Sequence, residues 1–423
     1  EIMSLYSTIM ETEAMKEHFK GYGAVETDFR SHADIYLINT CTVTNIADRK
    51  SRQMLRRARK ENPNALIVAT GCYVQEFFRN HENDHIADIC IGNRRKAEVA
   101  FLVNAYLGEI AKGKCPERFY VKDDQELKGY ENMTSVSTED HCRAYMKIQD
   151  GCNNHCTYCT VWIARGKSRC DSIENVLKNI QNIADGGVHE VNLTGVNVGD
   201  FGHGTKDDLL KLLKAIVKQN AIERVRISSI EPDALSEDII KLVAKSPILM
   251  PHFHIPLQSG CDRILADMRR RYTAKDYADK VLFIKKLMPD ACVACDVITG
   301  FPGETDEEFE ETYHFLEELP ISYMHVFTYS RRPRTHANMM ENQISEDVKH
   351  ERTERLLELS HAKKMAFYDQ CEGQIRPVLV ESEVVDDQLC GFTDNYIRVS
   401  FPNDENLINT IQKVKVEQCR TIL

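Results

Sequence analysis

The 423-residue sequence has no apolar run near the ~20 residues a membrane-spanning helix needs, and its first residues lack the plan of a secretory signal. A membrane protein and a secreted one are therefore not expected; a cytoplasmic one is. Glycine and proline are modest at 20 and 12, no segment is of low complexity and no internal repeat is visible, which excludes fibrous and solenoid architectures. Net positive charge is also missing. A formal charge of −11 argues against indiscriminate nucleic-acid binding by the whole surface.

What is present is a globular composition, 42% hydrophobic and 28% charged, in a chain long enough for two or three domains. Positive charge is clumped. Arg49, Lys50, Arg52, Arg56, Arg57, Arg59 and Lys60 fall within about three helical turns; Arg269, Arg270 and Arg271 are consecutive, and Arg331, Arg332 and Arg334 nearly so. Solvated helix faces account for any one clump, and together they leave room for a local phosphate-binding surface. Fifteen cysteines are an odd number without a secretory signal, so metal or redox chemistry is expected of those that are grouped.

Strand and helix patterns alternate over residues 1–125. Ile2–Ser7, Asp34–Asn39, Ala65–Thr70 and Ile86–Ile91 are short β-rich runs, with helical patterns over Glu11–Lys20 and Ile46–Lys60. This predicts an open parallel α/β sheet. The polar stretch Lys122–Glu139 reads as a linker. Six further strands are expected at Arg143–Ile148, Glu190–Leu193, Arg224–Ser228, His252–Pro256, Val293–Ile298 and Tyr323–Phe327, separated by helices, as in a partial (β/α)6 barrel. A long charged helix from Ser345 to about Gln370 follows. Beyond Gly373, the runs Ile375–Glu381, Tyr396–Phe401 and Val414–Glu417 suggest a small β-barrel of a size often used to hold nucleic acid. The fold class is α/β with this terminal β-module.

Cys152, Cys156 and Cys159 stand in GCNNHCTYC directly after the first barrel strand. Three thiolates on one tight loop suit three irons of a [4Fe–4S] cube and leave the fourth iron free to chelate S-adenosylmethionine. A zinc site is the alternative, and would need a fourth ligand nearby; His155 lies awkwardly inside the loop. Cys41 and Cys72 each lie just past a strand of the N-terminal sheet, at the edge where open α/β sheets bind ligands. They are either two buried thiols or two ligands of a shared metal site. A third ligand is expected after the first strand, yet Ile2–Ser7 runs into the helix at Ile9 with almost no connection, where a strand-to-helix loop is usually ~2–6 residues. A short cysteine-bearing loop between Thr8 and Ile9 is therefore expected to be absent from this sequence.

In order, METEAMKEHF, NTCTVTNIADRKSRQ, ATGCYVQ, GCNNHCTYC, ARGKSR, LTGVNVGDFG, RISSIEPDAL, HFHIPLQSG, MRRRYT, DVITGFPGET and GFTDNY resemble the blocks of the radical S-adenosylmethionine methylthiotransferases over nearly the whole chain. NTCTVTNIADRKSRQ and HFHIPLQSG most resemble the branch acting on N6-threonylcarbamoyladenosine in tRNA (the MtaB type). The resemblance implies an N-terminal cluster domain at 1–125, a radical domain at 138–370 and an RNA-gripping TRAM module at 372–423. It also implies two [4Fe–4S] clusters, one on Cys152, Cys156 and Cys159, the other on Cys41, Cys72 and a third cysteine that this sequence lacks. Two S-adenosylmethionine molecules are implied, one methylating a cluster-borne sulfur. The second yields the 5′-deoxyadenosyl radical that removes hydrogen from C2 of the adenine at position 37 of the anticodon loop, where the methylthio group is then delivered. An unactivated aromatic C–H has no useful acidity, so radical chemistry is the consistent means.

Candidates to hold S-adenosylmethionine are Thr194, Gly195, Asn197, Ser229, Glu231, Gln258 and Ser259 at strand ends, with ordinary turn and capping chemistry as the alternative. Gly300, Pro302 and Gly303 are expected to shape a loop so that backbone approaches the ligand. Candidate tRNA contacts are Arg52 and Arg56, Arg165 and Arg169, Arg270 and Arg271, and the terminal barrel. A flavodoxin or ferredoxin is the implied reductant, and a monomer is expected. This sequence departs from the family pattern at Cys261, Arg334 and His336. Cys292 and Cys295 read as packing residues, since a strand turns them to opposite faces. The rival functions are a methylthiotransferase acting on isopentenyladenosine tRNA or a ribosomal-protein aspartate, and a non-catalytic iron–sulfur RNA-binding protein.

Overall fold

The computed structural model describes residues 2–77, 86–121, 129–131 and 142–417; apart from residues 129–131, the expected linker at Lys122–Glu139 lies outside them. Two compact units emerge. One comprises the described residues of Glu1–Ser135, Gln149–Arg169 and Ser330–Asn338, the other those of Val136–Ile148, Cys170–Tyr329 and Met339–Leu423.

The first unit is built on a parallel sheet of β1 (Ile35–Thr40), β2 (Leu66–Gly71), β3 (Ile89–Ile91) and β4 (Phe119–Tyr120), in that order. Burial alternates along β1 and is continuous over most of β2, as expected for an edge strand beside an inner one. Helix α1 spans Ile2–Lys20 and α2 spans Asn45–Glu61. At the start of α2 the Thr44 hydroxyl accepts a hydrogen bond from the Ala47 amide at 3.1 Å. Ser51, Leu55 and Ala58 form its buried stripe, which turns most of its basic residues outward.

The expected strand at Ile2–Ser7 is overturned, because residues 2–20 form one helix. With no residues between run and helix to turn the chain, the backbone continues in a single conformation. The segment also lacks glycine and proline and holds three Met, three Glu and two Lys, so helix propensity meets no obstacle.

The second unit carries all six expected barrel strands: β5 (Arg143–Lys147), β6 (Glu190–Thr194), β7 (Arg224–Ile227), β8 (His252–His254), β9 (Cys292–Thr299) and β10 (Tyr323–Thr328). They form two parallel three-stranded sheets, β5-β6-β7 and β8-β9-β10, linked near the turn by a parallel bridge between Val225 and Leu249. The intervening helices begin at side-chain caps such as Ser172, Asp208, Ser236, Thr273 and Thr305, and bury one apolar face on the strands. Cys295 joins this main core, whereas Cys292 faces the opposite way with Phe367, Cys371 and Ile397, as strand alternation requires. After the helix Glu346–Cys371 comes an antiparallel sheet of β11 (Ile375–Val385), β12 (Gln388–Thr393), β13 (Arg398–Pro402) and β14 (Ile411–Lys415), in the order β13-β12-β11-β14. Strand β12 had no counterpart in the expected pattern; Gly391 within it masks the alternation.

An ion cluster joins this terminal sheet to the barrel. Arg143, Glu190 and Arg224 are neighbours in one register row across β5, β6 and β7. Glu190 is fully buried between Arg143, Arg224 and Arg226. Arg224 and Arg226 also donate to the Thr393 carbonyl, at 2.8 and 2.7 Å, and His252 stacks on Tyr396 with ring centroids 4.3 Å apart.

Candidate active site

Thr40 and Gly71 are register partners at the ends of β1 and β2, so Cys41 and Cys72 follow on adjacent strands. The approach needs glycine. Gly71 has φ +105°, and a Cβ there would lie 2.1 Å from the Thr40 carbonyl oxygen. Gly71→Ala should therefore destabilise the protein by more than about 1 kcal/mol. An unchanged denaturation midpoint would show that this register does not depend on the glycine.

Cys72 is buried and accepts a hydrogen bond from the Asn93 amide at 3.2 Å, while Asn93 also donates to the Ala164 carbonyl. Arg165 bonds to Cys72 as well and forms ion pairs with Glu11 at 3.0 Å and Asp150 at 3.1 Å; Lys96 binds the other oxygen of Glu11. Cys41 is partly buried, and its backbone exchanges hydrogen bonds with the Ser51 hydroxyl.

The Cys152–Cys159 loop belongs to the same unit. Backbone amides of Asn154 and Val161 point at the Cys152 and Cys159 sulfurs, each at 3.4 Å, as suits thiolate ligands. Burial, with the neighbouring Cys156 and Cys152, pushes the Cys159 thiol up to about 12, so binding a metal there must release its proton. His155 has a left-handed backbone (φ +53°), and its exposed ring packs edge-on against Trp162 at 4.5 Å, where the zinc alternative would need it as a ligand.

In the second unit the expected cofactor residues gather at the carboxyl ends of the strands. Thr194, Gly195, Asn197, Ser229, Gln258 and Ser259 are all buried, and Glu231 partly so. The buried hydroxyls of Thr194 and Ser228 have no hydrogen-bond partner among the described residues, which fits a polar ligand. Gln258 has φ +74°, a conformation that costs a non-glycine residue about 1–2 kcal/mol and marks a functional loop. Its peptide is held by β9, N–H to the Asp296 carbonyl at 2.8 Å and C=O from the Ile298 amide at 2.9 Å. Ser259 instead meets the Thr312 hydroxyl at 3.1 Å.

Sequence patterns missed a polar group inside this barrel. His254 Nδ1 lies 2.7 Å from the Ser229 hydroxyl, and Nε2 lies 2.8 Å from Asp296 Oδ1. Burial pushes the Asp296 carboxyl up, but His254 outweighs it and holds the group below its ordinary value. Burial, helped by His254, pushes the neighbouring His325 down to about 4. The signal was the paired His252 and His254 in HFHIPLQSG, whose partners are set only by strand register.

Residues 146–316 match the Radical SAM superfamily, and residues 7–92 match a family described as "Uncharacterized protein family UPF0004". The threonylcarbamoyladenosine tRNA methylthiotransferase MtaB of Bacillus subtilis is 39% identical over 96% of this chain and 90% of its own. The MtaB of Aquifex aeolicus is 37% identical over 92% of each. The chain belongs to the radical S-adenosylmethionine methylthiotransferases. A tRNA-2-methylthio-N6-dimethylallyladenosine synthase of Clostridium perfringens is 32% identical over 96% of this chain and 92% of its own. Among solved structures, the radical S-adenosylmethionine methyltransferase TsrM of Kitasatospora setae, with tryptophan and a SAM analogue bound, superposes with a TM-score of 0.56. It covers 88% of this chain and 71% of that one at 14% identity, a likeness of fold.

This methylthiotransferase is thus a transferase of a superfamily that uses a [4Fe–4S] cluster and S-adenosylmethionine. No helix among its described residues is long and apolar enough to cross a membrane. Its expected RNA-contacting arginines divide by burial. Arg56 is exposed, and Arg52, partly buried, lines one open depression with Arg49, Gln53 and Arg56. Arg271 is exposed. Arg165 is internal, Arg169 is paired with Asp150 at 2.8 Å, and the Arg270 side chain is buried against Glu231 and the Tyr272 hydroxyl. The Arg331–Arg334 clump is likewise not free. Buried Arg332 binds Thr42 at 2.7 Å and Asp48 at 2.5 Å, and Arg334 pairs with Glu76 at 2.8 Å. Gly300 has φ +70° and faces the Lys349 side chain, whose Cγ a Cβ would meet at 2.3 Å, so the packing of the long helix requires glycine there.

Proposed function

We propose that the chain adds a methylthio group to C2 of N6-threonylcarbamoyladenosine at position 37 of the tRNA anticodon loop, consuming two S-adenosylmethionine molecules. The 39% identity to a threonylcarbamoyladenosine enzyme over 96% of the chain carries this reading. Reductive cleavage of bound S-adenosylmethionine at the cluster supplies the radical chemistry. Cys152, Cys156 and Cys159 hold that cluster, with the Asn154 and Val161 amides donating to two of the sulfurs. Thr194, Gly195, Asn197, Ser229, Glu231, Gln258 and Ser259 bind and orient the cosubstrate. Cys41 and Cys72 hold a second cluster, where Arg165 and Asn93 donate hydrogen bonds to the Cys72 sulfur and orient it. Arg52, Arg56 and Arg271 contact phosphates, and the divisions 1–125, 138–370 and 372–423 serve as cluster, radical and RNA-gripping parts. A flavodoxin or ferredoxin supplies electrons to a monomer in the cytoplasm.

The 32% identity to a dimethylallyladenosine enzyme favours a second substrate reading. Reconstituted protein incubated anaerobically with tRNAs carrying each modified base separates them. Mass spectrometry of the digested nucleosides should show the methylthio mass added to threonylcarbamoyladenosine. Addition only to the isopentenyl nucleoside would move the protein to the other branch.

A further inference from the structure

His254, Asp296 and His325 project from three adjacent parallel strands. Asp296 and His325 are register partners across β9 and β10, and His254 pairs with Ala294, two residues before Asp296 on the same face. One potential ligand atom from each lies within 4.8 Å of the other two. His254 and Asp296 are buried and His325 partly so, and the two imidazoles meet edge to face with centroids 5.3 Å apart.

A histidine–aspartate hydrogen bond would account for two of these residues and leave the third unexplained. The His325 ring nitrogens have no hydrogen-bond partner among the described residues; its ring meets only those of His254 and Tyr323. The outer partner is also in place. When a histidine binds metal through Nε2, its Nδ1–H needs an acceptor to fix the ring. The Ser229 hydroxyl stands 2.7 Å from His254 Nδ1.

We infer that His254, Asp296 and His325 form a divalent transition-metal site, with Ser229 orienting His254. Two imidazoles and one carboxylate favour zinc or ferrous iron over magnesium or calcium, which prefer all-oxygen cages. Binding at Nε2 displaces the hydrogen bond to Asp296 and leaves the single proton of the neutral His254 ring on Nδ1, from which it is donated to the Ser229 hydroxyl, so no net proton is lost. Three protein ligands leave at least one position open to an exogenous oxygen donor. The site uses none of the cysteines, and it stands whichever nucleoside the enzyme modifies.

The test is equilibrium dialysis of the reconstituted full-length protein against zinc ions, with zinc and iron counted per chain and zinc X-ray absorption measured. One zinc per chain is expected, with nitrogen and oxygen neighbours only. Asp296→Asn and His325→Gln should remove it without changing iron content, and Ser229→Ala should weaken it by about 10–100-fold. Circular dichroism melts of each variant establish that it is folded. Substoichiometric zinc in the parent protein, sulfur in the zinc shell, or full zinc retention in folded Asp296→Asn and His325→Gln would each overturn the assignment.

Discussion

Replacing Cys152, Cys156 and Cys159 together by alanine should lower iron and acid-labile sulfide from about eight to about four of each per chain, and reduce S-adenosylmethionine cleavage to background. The three side chains share one loop and have no substitute, since His155 is turned to Trp162 and no other cysteine lies on the loop. Counting iron in the parent and the triple variant separates the two cysteine groups. A fall from about four to none would mean that Cys41 and Cys72 hold no cluster. Sulfur insertion would then have to give way to a simpler radical reaction. Their group is the one at risk, because residues 1–40 hold no cysteine and the helix Ile2–Lys20 crosses the junction where a third ligand was expected.

Glu190→Ala should cost about 3–5 kcal/mol, because it strands Arg143, Arg224 and Arg226 without their shared carboxylate. At about 2–4 °C per kcal/mol, the apparent melting midpoint should fall by roughly 10 °C. Alanine at the exposed Glu223 should change the stability by no more than about 0.5 kcal/mol. Burial alone would push the Glu190 carboxyl up, but the three guanidiniums outweigh it and hold it well below the usual range. A carboxyl depressed in the folded state stabilises fully above its unfolded value of about 4.3 and loses that contribution as pH falls through the folded one. The gap between parent and Glu190→Gln should therefore be constant near neutrality and narrow in acid. A gap unchanged by acid would show that the charge of Glu190 is not what holds the arginines.

Several features were legible because they are local. The C-x3-C-x2-C spacing is a statement about chain reach, and the six barrel strands announce themselves as apolar runs between capped helices. The strand–helix rhythm likewise identified the N-terminal sheet and placed Cys41 and Cys72 at its edge. The N-terminal strand expectation failed for the same local reason: Ile2–Ser7 has β-prone residues, but whether a short apolar run becomes strand or helix depends on what it continues into.

The arginines show the other limit. Arg52, Arg165, Arg270 and Arg332 look alike in sequence, yet only Arg52 among them retains an open face; the others are buried by carboxylates and hydroxyls. The Arg143–Glu190–Arg224 row and the His254–Asp296–His325 group were invisible for a related reason. Successive members are separated by 29 to 47 residues and meet only through strand register. The sequence by itself determined the thiol loop, the β/α order and the family, since these depend on spacing and local propensity. Tertiary structure decided which charges are solvated and which polar side chains converge, because burial and register are properties of strands brought together from distant parts of the chain.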